Sequence, residues 1–75
     1  MDLSTFASDI PRRRLLAERI DVVDAYLYQL ANGYSRPSVA LAQRIEQATA
    51  EMGPEMVPRW SLRPDVWESP QDEAA

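Results

Sequence analysis

Cysteine and histidine are both missing from this chain of 75 residues, and their absence removes several classes of function. Without cysteine there is neither a disulfide framework nor a thiolate metal site. Without histidine the commonest metal ligand and the commonest general base are missing. The chain has two glycines, which is too few for a glycine-rich phosphate-binding loop. We therefore expect no enzymatic activity, no metal and no cofactor.

Long apolar runs are missing as well. No segment approaches the roughly 20 apolar residues that a helix needs to span a bilayer, and the opening residues MDLSTFASDI are acidic where a secretory signal would be positive. These features predict a cytoplasmic protein without a membrane partner. A chain of this length has room for one small core, so we expect one domain over residues 1–67 and an acidic, disordered tail over residues 68–75.

Lysine is the third absence, so all eight basic residues are arginines. The formal net charge of −4 is unevenly spread, because residues up to Arg44 carry about +1 and residues from Glu46 onward about −5. Such asymmetry is typical of a face that binds nucleic acid while an acidic part points away from it. Arginine suits bidentate contacts with phosphate and guanine, although a GC-rich genome gives the same preference for arginine.

The run from Arg14 to Gly33, RLLAERIDVVDAYLYQLANG, carries the most distinctive pattern of the chain. It predicts a helix over residues 12–20, a bend over 21–23 and a helix over 24–31. The residues expected to face inward are Leu16, Ala17 and Ile20 of the first helix, Val22 of the bend, and Leu27 and Leu30 of the second helix. Two short helices joined in this way are typical of a helix-turn-helix, whose second helix enters the DNA major groove.

The flanking segments predict further short elements. A stripe of Leu3, Phe6 and Ala7 predicts a helix over residues 2–9. Ser38 is a candidate N-cap for a helix in which apolar residues recur at steps of four, three and four until Gly53. Residues 57–67 hold two tryptophans and two prolines, which favours an extended segment or single strand over a helix.

The outer face of the helix over residues 24–31 provides the candidate base-contact residues. They are Ala25, Tyr28, Gln29 and Asn32, which follow the spacing i, i+3, i+4, i+7. Glutamine and asparagine pair bidentately with adenine, and alanine meets a thymine methyl. The alternative is an ordinary solvated helix face. Asp24, in the first turn, is expected to cap the helix rather than to contact DNA.

A second group of residues is expected to contact phosphate. Its members are Arg12, Arg13, Arg14, Tyr26 and Arg36. Three arginines at a helix N-terminus oppose the macrodipole at a cost of roughly 0.3–1 kcal/mol each, and a local cost without a local benefit suggests a phosphate partner. The alternatives are a solvated arginine triplet, a plain loop charge at Arg36, and a place at the edge of the core for Tyr26.

The C-terminal segment carries more apolar area than a tail needs. Its large residues are Val57, Trp60, Leu62, Val66 and Trp67. Two explanations remain open and can coexist. The segment either folds back over the preceding helix and completes the core, or it forms a dimer contact with a second copy of the chain.

Taken together, the chain resembles the YdaS-like branch of the Cro and lambda-repressor-type helix-turn-helix proteins of phages and toxin–antitoxin-like loci. The matching segments are LAERI, YLYQLANG, RPS, RIEQAT and LRPDVW, and the resemblance covers most of the chain from about residue 10 to residue 67. Two departures stand in the bend, where such proteins usually carry Gly in place of Asp21 and Ser or Thr in place of Val23. The connection EMGPEM at residues 51–56 also looks longer than usual.

The resemblance implies a fold and a function. The fold is an all-α, lambda-repressor-like helix-turn-helix bundle of four to five short helices with an extended C-terminal segment. The function is sequence-specific binding of double-stranded operator DNA by a homodimeric, Cro-like repressor. The alternative is a protein-binding module that engages a toxin or host protein, with DNA binding secondary, and the negative net charge is its best support.

Overall fold

The computed structural model of the chain describes residues 1–68 and places five α-helices there. They are α1 Leu3–Ala7, α2 Ile10–Arg19, α3 Asp24–Ala31, α4 Val39–Met52 and α5 Arg59–Leu62. No strand occurs among these residues, so the predicted all-α class is confirmed. The same part of the chain has no helix of the length and apolarity required to cross a bilayer. Apart from Glu68, the predicted tail of residues 68–75 lies outside the described residues.

Three of the helices begin at a short polar side chain that accepts a backbone N–H of the first turn. The pairs are Asp2 with the N–H of Thr5 at 2.8 Å, Asp9 with that of Arg12 at 3.4 Å, and Ser38 with that of Leu41 at 3.1 Å. The predicted cap at Ser38 is thereby confirmed. Pro11 lies in the first turn of α2, where a residue without an N–H is tolerated because that group would have no helical partner.

The helices α2 and α3 both end in a Schellman motif. The residue after the C-cap is left-handed in each, with φ of +58° at Asp21 after α2 and +79° at Gly33 after α3. The next N–H, of Val22 or Tyr34, donates at 2.9 Å to the carbonyl five residues before it. Asp21 therefore adopts a left-handed conformation that glycine adopts more readily, at some cost in backbone strain.

A single apolar core joins α1 through α4. Its buried residues are Leu3, Phe6, Leu16, Ala17, Ile20, Leu27, Leu30, Ile45, Ala48 and Val57. The inward faces predicted for the first four helices are confirmed, and Val22 packs partly buried at the bend as expected. Two buried residues of α4, Ala42 and Thr49, were not anticipated from the spacing of its larger apolar residues.

The expectation of an extended C-terminal segment is wrong for residues 59–62, which form α5. The carboxylate of Glu46 in α4 explains the helix, because its Oε2 accepts the N–H of Arg59 at 2.9 Å and its Oε1 accepts the guanidinium Nε at 2.8 Å. These hydrogen bonds from Arg59 lower the pKa of Glu46. A cap supplied from 13 residues away leaves no local signal in the sequence.

The segment around α5 folds back onto α4, as the first of the two explanations predicts. Val57 is fully buried, and its N–H donates at 2.9 Å to the hydroxyl of Thr49, which itself donates at 2.8 Å to the carbonyl of Ile45. Leu62 packs against the core. The tryptophans Trp60 and Trp67 are half-buried, and Val66 is exposed, so the second explanation, a dimer contact, stays a prediction.

The buried Thr49 hydroxyl generates a test of this docking. In Thr49→Val the shape is kept but the N–H of Val57 loses its acceptor inside the protein, which costs about 1–3 kcal/mol. We expect a loss of that size in the free energy of unfolding, measured by urea denaturation with tryptophan fluorescence. Thr5→Val, the same change at an exposed position of α1 beside the Asp2 cap, is the comparison and should cost less than Thr49→Val, at most about 1 kcal/mol. Equal effects of the two changes would contradict the role of Thr49.

The left-handed residue after α2 generates a second test. Because glycine tolerates φ of +58° without the strain of a Cβ, Asp21→Gly is expected to raise the free energy of unfolding by about 0.5–1 kcal/mol. Gly33→Ala is the reverse change at the equivalent place after α3, where an added Cβ meets no atom within 4 Å. It is expected to cost about 1 kcal/mol through strain alone. Urea denaturation measures both, and a loss of stability in Asp21→Gly would refute this account of the bend.

Candidate nucleic-acid interface

The bend between α2 and α3 is held from inside and from outside. Inside, Leu27 and Leu30 bury one face of α3 against the core. Outside, the guanidinium of Arg44 in α4 donates at 2.6 Å to the carbonyl of Ile20, the C-cap of α2. An arginine at the C-terminal end of a helix satisfies a free carbonyl and opposes the negative end of the dipole. Packing thus holds α3 in the core, and the hydrogen bond from Arg44 holds the end of α2, just before the bend, to α4.

The start of α3 differs from the sequence-based expectation. Asp24 is the first residue of the helix, and the N-cap position belongs to Val23, which is 70% exposed and offers no side-chain cap. The carboxylate of Asp24 instead accepts the Nε of Arg13 at 2.8 Å and one terminal nitrogen at 2.9 Å. The prediction that Asp24 caps α3 is therefore wrong, because Arg13 of α2 occupies the carboxylate. These hydrogen bonds lower the pKa of Asp24.

All four candidate base-contact residues are exposed, three of them within α3 and Asn32 at its C-cap. Ala25 and Gln29 are exposed and Tyr28 is 50% exposed. Gln29 has a long contact of 3.5 Å from its Oε1 to the hydroxyl of Ser35. Asn32, at the C-cap, uses its amide nitrogen to donate at 2.9 Å to the carbonyl of Tyr28. The surface defined by Ala25, Tyr28 and Gln29 is called the α3 outer face below.

The arginine triplet at the start of α2 has local partners. Arg12 lies 3.6 Å from the carboxylate of Asp9 and 3.5 Å from that of Glu55, and its guanidinium stacks 4.6 Å from the ring centre of Phe6. Arg13 is held by Asp24, as described above. The cost expected from placing positive charge at this helix end is therefore offset within the chain for two of the three arginines. For Arg12 and Arg13, a phosphate partner is therefore not required to explain a positive charge at this end of α2.

Arg14 differs from its two neighbours. It is exposed, and it forms no ion pair within residues 1–68. Tyr26, a further phosphate candidate, is half-buried and packs against the core. Of the phosphate candidates at α2 and α3, Arg14 thus has the charge most available to a partner.

Arg36, in the loop that leaves α3, lies 3.5 Å from Asp65 and is 65% exposed at its side chain. The same carboxylate accepts two hydrogen bonds from Arg63, at 3.0 and 2.9 Å, and Arg63 also donates at 3.0 Å to the carbonyl of Pro37. Hydrogen bonds from Arg63, and then the nearby charge of Arg36, lower the pKa of Asp65 to about 2. The C-terminal segment is thereby tied to the loop after α3.

Sequence reasoning did not assign a role to Arg44, Arg63 or Asp65, although it singled out the segments RIEQAT and LRPDVW that contain them. Their partners lie far away in the chain, 24 residues for Arg44 and 26 residues for the bond from Arg63 to Pro37. In both segments the sequence shows charged residues beside apolar ones, which indicates that the charges lie close to the core. This pattern does not identify the distant carbonyls to which the two arginines donate.

The shared carboxylate of Asp65 generates a test. In Arg63→Gln the two hydrogen bonds are lost, so the pKa of Asp65 is expected to rise from about 2 toward its ordinary value of 3.8. Carboxyl carbon shifts followed by NMR during an acid titration measure it. Since the folded-state pKa is lowered, the stability that Asp65 contributes is present above pH 3.8 and is lost as the pH falls through about 2. Arg36→Gln is the matched comparison and should give a smaller rise. An unchanged pKa in Arg63→Gln would contradict the arrangement.

Comparison with known proteins gives no match for this chain, whether with protein-family models, curated proteins or solved structures.

Proposed function

We propose that this protein binds double-stranded DNA sequence-specifically, using α2, the bend and α3 as a helix-turn-helix of the lambda-repressor type. The α3 outer face carries the proposal. A glutamine, a tyrosine and an alanine stand side by side there in solvent, on a helix whose opposite face is buried. Glutamine reads adenine, alanine accommodates a thymine methyl, and tyrosine contributes a hydroxyl for a base edge or phosphate.

The dimensions of α3 support this proposal. An α-helix with its side chains is about 10–12 Å in diameter, which fits the roughly 12 Å width of the major groove, and the eight residues of α3 give about two turns to lie in it. Gly33 ends the helix and turns the chain away from its axis. The exposed side chains of the α3 outer face would then reach base edges, while the chain before and after the helix runs beside the phosphates.

The arginines around α3 would supply the phosphate contacts. Arg14 offers a charge without an internal ion pair within residues 1–68, and Arg12 and Arg36 have pairs of 3.5 Å or longer. Ion pairs at the surface contribute roughly 0–1 kcal/mol, so a DNA phosphate can replace their carboxylates. Two carboxylates of the acidic part of the chain face these arginines, Glu55 at 3.5 Å from Arg12 and Asp65 at 3.5 Å from Arg36, and a phosphate would have to displace them.

The resemblance to YdaS-like and Cro-like regulators extends the proposal to a biological role. The protein would act as a homodimeric repressor, in which two copies of α3 read half-sites about 34 Å apart. No cofactor is proposed, because the core already holds the inner face of α3.

A second candidate is a protein-binding module that engages a toxin or a host protein. The internal ion pairs favour it, since Arg12, Arg13 and Arg36 each already face a carboxylate. Exposed apolar side chains beside α3 also favour it, namely Val23 at 70% and Tyr34 at 77% exposure. This candidate requires no affinity for DNA, which is what separates the two.

Binding to DNA selected from a random duplex pool tests the proposal. We expect enrichment of a defined sequence and an affinity, measured by fluorescence anisotropy, that falls with salt by a slope of about 0.9 per phosphate neutralised. Gln29→Ala should weaken the selected duplex by about 1–3 kcal/mol and leave a scrambled duplex of equal length nearly unchanged. Gln47→Ala, at an exposed glutamine of α4, is the control and should match the parent protein on both.

Two outcomes would contradict the proposal. No enrichment of any sequence, together with no binding at low salt, would favour the protein-binding module. Equal losses on selected and scrambled duplexes in Gln29→Ala would show that the α3 outer face does not read bases.

A further inference from the structure

Arg13 occupies a different environment from the other arginines near α3. Two of its nitrogens donate to Asp24 at 2.8 and 2.9 Å in a bidentate pair, and its side chain is only 17% exposed. Its guanidinium carbon also lies 5.7 Å from the centre of the Tyr28 ring. Because Asp24 and Tyr28 are four residues apart, they lie one above the other on α3, and Arg13 from α2 spans both.

This arrangement connects the start of α2 with the α3 outer face. Arg13 and Tyr28 also border one groove of about 300 Å³, which Ser4, Ser8 and Ile10 line from the other side. A bidentate pair fixes the orientation of both groups as well as their distance. Since Val23 supplies no cap for α3, the pair with Arg13 is the polar contact that holds the first turn of this helix against α2.

We propose that Arg13 and Asp24 act as one unit that positions α3 and the Tyr28 ring, and that Arg13 thereby determines base specificity without contacting phosphate. The inference rests on the proposed function, since it assigns a role within the same DNA interface. It differs from the expectation drawn from the sequence, in which Arg13 was one of three equivalent phosphate contacts. Among the three arginines at the start of α2, Arg14 has the charge that is most available to phosphate.

The two roles predict opposite results for Asp24→Asn. If Arg13 contacted phosphate, removing the carboxylate would release the guanidinium, and affinity and salt slope would both increase. If the pair positions α3, Asp24→Asn lowers the affinity for the selected duplex and leaves the salt slope nearly unchanged. We expect the ratio of selected to scrambled affinity to fall about tenfold in Asp24→Asn, in Arg13→Gln and in the double variant alike, because the two residues act as a unit.

Arg13→Lys and Arg14→Gln sharpen the comparison. Lysine keeps the charge but loses the planar fork, so Arg13→Lys should lose specificity while its salt slope stays that of the parent protein. Arg14→Gln removes the same charge one residue further along α2. It should weaken selected and scrambled duplexes equally and reduce the salt slope by about 0.9. Circular dichroism at the assay temperature establishes that each variant is folded.

A readout in the free protein makes the test independent of DNA. The ring proton signals of Tyr28 in NMR spectra should shift in Arg13→Gln and in Asp24→Asn, and stay in place in Arg14→Gln. The inference is overturned if Asp24→Asn binds more tightly with a steeper salt slope, if Arg13→Lys behaves as the parent protein, or if the Tyr28 signals do not move. If no duplex is enriched, the proposed function fails and this inference fails with it. Enrichment with unchanged specificity in the variants overturns this inference alone.

Discussion

The ends of short helices are the constraint on which this structure depends. Every α-helix leaves four N–H groups and four carbonyls without helical partners, so in α1, with five residues, and α5, with four, most backbone groups lie near an end. Aspartate and serine caps satisfy some of them locally. Two more are satisfied by α4, from which Arg44 reaches the carbonyl at the end of α2 and Glu46 reaches the N–H at the start of α5. The longest helix thus supports one end of each of these two helices.

Contacts of this kind explain the structural role of the segments RIEQAT and LRPDVW. In RIEQAT, Arg44 holds the bend, Glu46 starts α5 and Thr49 binds the backbone of Val57. In LRPDVW, Arg63 and Asp65 tie the loop after α3 to the C-terminal segment. In these two segments the residues that carry the resemblance are therefore mainly structural, whereas the α3 outer face takes Tyr28 and Gln29 from the matching segment YLYQLANG and Ala25 from the residue before it.

The sequence predicted what depends on near neighbours and missed what depends on distant ones. The bounds of α3 and the inward faces of four helices follow from periodicity, and they were predicted. The helix at residues 59–62 was missed because its cap comes from Glu46. The partners of Arg13 and Arg36 were missed for the same reason, since ion pairs across 11 or 29 positions leave no local pattern. The exposed residues of the α3 outer face were found, but their function could only be proposed.

The burial of Val57 has a consequence for the order in which the protein folds during synthesis. Residues 1–52 contain α1 to α4, yet while they leave the ribosome the core still lacks Val57, and the hydroxyl of Thr49 still lacks the N–H that it accepts. The carboxylate of Glu46 likewise has no partner until Arg59 is made. A chain under synthesis can therefore complete its core only after residues 57–63 have been made.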